Sequence, residues 1–171
     1  MEKLIKIGKS KKGSALDLIL IGGILLAFAM LVLLGFKFMS EFNAQIQGDA
    51  DIPAEAKATT AELEGYYPGV IDNSFLLLAI GLSLGALILA ALVRISPIFI
   101  VLFIITLILI IFMCGVFSNI YQEMAENAQL QTEADQLIFI SNIMEYLPLI
   151  IGIIGGLLSI IMYKSWNSAQ F

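Results

Sequence analysis

Few side chains in this sequence are suited to chemistry, and they do not gather. Its one cysteine, Cys114, sits among Phe112, Met113, Gly115 and Val116. A reactive thiol needs an electropositive, accessible setting; an apolar one predicts a small inert hydrophobe. Histidine is absent. Its absence excludes His-ligated haem and most zinc chemistry within this chain. Carboxylates are plentiful and could collect cations. Glu123 and Glu126 are three apart, so a helix would place them on one face. The di-iron pattern adds a histidine at that spacing. Asp49 and Asp51 lack the glycine and ligand spacing of an EF-hand loop. The expected role of these acids is a solvated face. The sequence shows no nucleophile with a base, no phosphate loop and no cofactor motif. It predicts a protein that is not an enzyme and carries no cofactor and no metal.

The elements that would position any site are membrane helices. Hydrophobic residues make up 60% of the 171 and charged residues 13%, against about 25% charged in soluble domains. The charges cluster, leaving four uncharged apolar runs at 18–36, 75–93, 98–117 and 147–163. A helix needs ~20 apolar residues to cross ~30 Å of hydrocarbon. The runs are continuous rather than alternating, which favours helices over barrel strands. The predicted fold class is all-α, an integral membrane four-helix bundle with helical extramembrane extensions. It forms a single membrane domain over 1–171, with a basic segment at 1–17 and acidic loops at 37–74 and 118–146.

The net charge of −5 averages two opposite regions. Lys3, Lys6, Lys9, Lys11 and Lys12 precede the first run, Arg94 lies between the second and third, and Lys164 follows the fourth. Only Lys37 and Lys57 fall in the other loops. The positive-inside rule therefore predicts both termini inside and two acidic loops outside, in a prokaryotic or viral membrane. Leu4, Ile5 and Ile7 alternate with the N-terminal lysines. Without arginine or aromatic residues there, no specific nucleic-acid partner is expected. The segment Lys11-Lys12-Gly13-Ser14-Ala15-Leu16 resembles a type IV prepilin cleavage region. It departs from that pattern at Leu18, where glutamate is usual, and the three further spans depart from a pilin.

The first acidic loop reads as partly helical. Asp51 can cap, Pro53 suits a first turn, and good helix formers run to Leu63. Gly65-Tyr66-Tyr67-Pro68-Gly69 is expected to break that helix. The second loop has no Gly or Pro from Ser118 to Gln136, so the third span is expected to continue through it as helix. Leu137 to Ile140 could extend the fourth span.

Two small-residue pairs are candidate helix-packing sites: Gly81 with Gly85, and Gly152 with Gly156. Residues four apart share a face, so two backbones can come close, either within the bundle or between subunits. Lys37, Arg94, Lys164, Tyr66 and Tyr67 are the candidate interfacial anchors. No Asp, Glu, Lys, Arg or His falls within the four runs, which argues against a transporter acting alone. The expected partners are the lipid bilayer and other membrane proteins, in a hetero- or homo-oligomeric assembly. The expected function is a non-enzymatic structural subunit: a virion membrane protein, a surface-structure component or an accessory subunit of a membrane complex. The alternative is an oligomeric pore or holin-like channel.

Overall fold

The computed structural model describes residues 15–92 and 97–167. It is all-α, and there is no strand among these residues. Six helices follow in order: α1 Ala15–Gly48, α2 Ala54–Leu92, α3 Pro97–Ala125, α4 Gln131–Ala134, α5 Ile138–Glu145 and α6 Leu147–Asn167. Four of them, α1, α2, α3 and α6, are long and apolar enough to span a bilayer, with mean hydropathies of 2.9, 1.8, 3.2 and 2.0. The chain is an integral membrane protein. Its lipid contact is direct: Leu31, Leu77, Ile108 and Phe112 are all exposed.

The four long helices form a ring. α1 packs on α2 and α3, and α6 packs on α3 and α2. Leu25, Ala29, Leu33, Ile110, Cys114, Ile151 and Leu158 fill the centre. Lipid is as apolar as these side chains, so the ring is held by close fit rather than by hydrophobic drive. Glycine permits that fit at three places. A Cβ on Gly22 would lie 3.1 Å from the Cys114 sulfur, and one on Gly35 would lie 2.7 Å from the Tyr67 hydroxyl. A Cβ on Gly155 would overlap the Leu107 side chain.

The helices extend well past the bilayer at the end away from the termini, here the acidic end. α1 has 34 residues and α2 has 39, or about 51 and 58 Å at 1.5 Å per residue, against ~30 Å of hydrocarbon. They meet in a short turn at 49–53. There the Asp51 amide donates to the Asp49 carboxylate at 2.9 Å, and the Lys57 amide donates to the Pro53 carbonyl at 3.2 Å. The carboxylate that organises this turn is that of Asp49.

Three expectations about the acidic segments fail. α2 does not break at 65–69; it runs unbroken through Pro68. An internal proline costs a helix ~3 kcal/mol, but here tertiary packing overrides it. Tyr67 stacks on Phe36 of α1, with ring centroids 5.2 Å apart. Its hydroxyl reaches the Val32 carbonyl at 3.4 Å. Nor does α3 run to Gln136; it stops at Ala125. Asn127 ends it without help from Gly or Pro. Its side-chain oxygen accepts the Gln129 amide at 3.0 Å, and its carbonyl accepts the amides of Leu130 and Gln131. This is the local competition by which asparagine diverts a helical backbone. α5 is likewise a helix of its own rather than an extension of the fourth span. Pro148 has no amide to give the Met144 carbonyl, so the chain bends at Tyr146 before α6 begins.

Candidate functional site

The acidic end holds the one concentration of buried polar side chains among the described residues. Asn43, Asp72, Ser118 and Glu133 are the buried polar residues, and all but Asn43 bind α4, α5 or their flanks to the long helices. Asp72 comes from α2, two residues before the apolar Ser74–Phe75 junction. Its two oxygens accept the backbone amides of Phe139 at 2.8 Å and Ile140 at 2.7 Å. These are orphan donors of the α5 N-terminus. The residue at the N-cap of α5 is Leu137, which has no side-chain cap to offer. Asp72 thus caps, from another helix, an end that its own sequence leaves open. The carboxylate also sits at the positive end of the α5 dipole.

Lys37 of α1 provides the second tie. Its ammonium lies 3.3 Å from Glu133 Oε1 and 3.6 Å from Glu41. The Glu133 side chain is 5% exposed, and its second oxygen has no partner among the described residues. A buried carboxylate with one oxygen unsatisfied depends heavily on its single cation.

Three hydroxyls complete the fastening. Ser118 of α3 donates to the Glu145 carbonyl at 3.0 Å, satisfying the C-terminal turn of α5. Ser141 donates to the Ala134 carbonyl at 3.1 Å. Its only proton is thereby spent, so the Tyr121 hydroxyl, 3.2 Å away, donates to it. Leu137, Ile140 and Met144 bury the apolar face of α5 beneath these bonds. On the solvent side, α3, α4 and α5 frame an open furrow of about 480 Å³ lined by Glu126, Asp135 and Glu145 with Gln122 and Asn142. Among the described residues no group of three or more Cys, Asp or Glu is arranged to hold a metal ion.

The sequence-derived candidates scatter over the molecule. Lys37 is a member of the buried fastening as well as a boundary residue. Tyr66 and Tyr67 diverge: Tyr66 is 61% exposed, while Tyr67 turns inward onto Phe36. Lys164 is exposed in the last turn of α6, at the far end. Arg94 lies outside the described residues. Of the four packing glycines, a Cβ on Gly152 would meet Ile111 at 3.5 Å, and Gly81, Gly85 and Gly156 meet nothing within 4 Å among the described residues. In α6 it is Gly155, one residue off the Gly152–Gly156 face, that admits the neighbouring helix.

Asp49, Asp51, Glu123 and Glu126 are exposed, as a solvated face requires; Asp72 and Glu133, two further acids of the same loops, are not. These two are 5% and 4% exposed. A sequence signal for Asp72 existed: a helix opening at Leu137-Ile138-Phe139 without a capping residue must borrow one. Nothing local marks Glu133. Comparison of the chain with protein-family models, curated proteins and solved structures yields no match.

Proposed function

We propose that this chain is a non-enzymatic structural subunit of a larger membrane assembly, presenting its acidic end to a partner outside the membrane. The observation that carries the reading is the fastening of α4 and α5 onto the long helices. Asp72 and Ser118 spend their polar groups on the backbone ends of α5, Lys37 pairs with Glu133, and Tyr121 bonds Ser141. The product is an ordered extramembrane body, and ordering it costs chain entropy that contact with a partner puts to use. The orientation rests on charge. Seven of the nine Lys and Arg precede the first span, join the second to the third or follow the fourth, so the termini are assigned to the inside. A packed centre of Leu, Ile, Ala and Cys supports a scaffold rather than a pore within one copy.

The test is extraction of the protein from its native membrane in mild detergent. Stable recovery in a particle with other polypeptides is the expected result. The purified chain in liposomes is expected to be silent. Selective ion flux there, lost on a single substitution in a span, would put the oligomeric channel first.

A further inference from the structure

Contacts between the long helices fix which residues lie level with one another. Phe28 of α1 stacks on Phe75 of α2, and Phe36 stacks on Tyr67. Eleven residues from Phe28 toward the termini, α1 reaches Asp17; the same eleven steps take α2 from Phe75 to Ala86. A Cβ on Gly22 would meet the Cys114 sulfur of α3. Five residues from Gly22 is again Asp17, and five from Cys114 is Leu109. Gly155 of α6 lies against Leu107, which puts Ile153 level with Leu109.

In sequence, Asp17 closes the basic segment, one residue before the first apolar run. In depth it lies elsewhere. Ala86, Leu109 and Ile153 are each at least six residues inside the runs 75–93, 98–117 and 147–163, about 9 Å or more from any end. The bundle also continues past this level toward the termini. Phe103, Ile100, Leu158 and Met162 lie five to nine residues further on, and all are buried. Lys164 is eleven residues from Ile153, about 16 Å along the helix.

Aspartate has a single methylene stem and cannot snorkel as Lys and Arg do. A carboxylate charge at such depth is costly unless it is compensated. Nothing among the described residues supplies that compensation. There is no Asp, Glu, Lys or Arg on α1 from 18 to 36, α2 from 79 to 88, α3 from 101 to 116 or α6 from 148 to 160. The other titratable group in these stretches is Cys114, five residues away. The hydroxyls of Ser83, Thr106 and Ser159 each donate to the carbonyl four residues back in their own helix. In sequence the nearest base is Lys12, five places before Asp17; the spacings of three and four at which helical side chains meet hold Ser14 and Gly13.

We propose that Asp17 is a proton-binding site within the membrane, its carboxyl group made neutral by a proton while α1 sits in the bundle. The inference goes beyond the reading of the chain as an assembly subunit and holds for a single copy. A proton is the occupant because it removes the charge without further ligands. A metal ion would need several oxygens, and no group of three or more Cys, Asp or Glu gathers among the described residues. Release of the proton would leave a bare charge at this depth and work against the packing of Gly22 on Cys114. The seating of α1 is therefore coupled to the proton.

The experiment compares the full chain with Asp17→Asn in lipid vesicles by infrared difference spectroscopy at neutral pH. Asn is neutral and of the same shape, so the variant should fold. The expected result is a protonated-carboxyl C=O band, shifted in heavy water, that the substitution removes. Loss of a carboxylate band in its place overturns the proposal. Labelling is the second measurement, with Glu41, whose side chain is 63% exposed, as the internal standard. Dicyclohexylcarbodiimide enters hydrocarbon and reacts with protonated carboxyls; it should label Asp17 about tenfold or more above Glu41, and a water-soluble carbodiimide should reverse that order. Labelling of Asp17 by the water-soluble reagent at the level of Glu41 places it in water and overturns the inference. So does resistance to both reagents, the mark of a carboxylate held by a base of this chain or of a partner. Either failure leaves the assembly reading standing, since that is judged from the recovered particle.

Discussion

The membrane half and the acidic end of this protein solve the same problem, keeping helices in register, by opposite means. In the membrane half the helices fit by shape. Gly22, Gly35 and Gly155 let neighbours approach to van der Waals distance, and apolar side chains fill the rest. At the acidic end water competes for every polar group, and two short helices of 4 and 8 residues could not stand alone. There, a few directed bonds do the fastening: Asp72 to two amides, Lys37 to Glu133, and hydroxyls to helix ends. Small volume changes should therefore harm the first half, and loss of single polar groups the second.

The sharpest way to break this contrast is Asp72→Ala. It strands a buried and a part-buried amide at the start of α5, at on the order of 3 kcal/mol. Protease digestion should cut between α3 and α6 in the variant while the four spans stay protected. Asp72→Asn, which keeps one acceptor, should lose roughly half as much. Next comes Gly155→Leu, expected to cost about 2–3 kcal/mol by overpacking against Leu107. Thermal unfolding in detergent should show it as a lowered midpoint, with the acidic end disturbed only after the bundle. Lys37→Met follows, at about 2 kcal/mol. A broken buried pair costs more, but Lys37 is 28% exposed and water recovers part of the loss. Replacing Glu133 by Gln as well should restore much of it, and a double variant no better than the single would show that the two groups act separately.

The smallest effects fall where the single chain leaves space. Gly81→Leu with Gly85→Leu should change the stability of the isolated chain by less than about 0.5 kcal/mol, because no neighbour is displaced. If α2 uses that face against another subunit, the loss appears only as a smaller fraction of protein in the native particle. Cys114→Ala should cost about 1 kcal/mol of packing and leave assembly intact. A complete loss of function with normal insertion would expose a reactive role for the thiol.

The sequence made the bundle legible because apolar runs of spanning length have few alternative explanations. The acidic end was less legible, and each failure has a local cause. Pro68 reads as a helix stop, yet Tyr67 pinned against Phe36 carries α2 through it. The stretch after Phe117 reads as helix for want of Gly or Pro, yet Asn127 folds back on Gln129. Asp72 and Glu133 look like any other acid of the loops; the groups that bury them lie 67 and 96 residues away in sequence. The small-residue pattern in α6 was visible, but rotation of the helix makes Gly155 rather than Gly156 the contact. The candidate site is thus the part that depends most on long-range pairing, and sequence spacing alone carries little of it.

The central claim is that the acidic end is built before any partner arrives. Hydrogen exchange at the Phe139 and Ile140 amides, in the isolated chain reconstituted in lipid, tests it most directly. Both donate to Asp72, so the account predicts exchange slowed by about a hundredfold or more relative to an unstructured peptide, as for an amide released only by sub-global opening. Exchange at the unstructured rate in the isolated chain, with the α3 and α6 amides still protected, would contradict it.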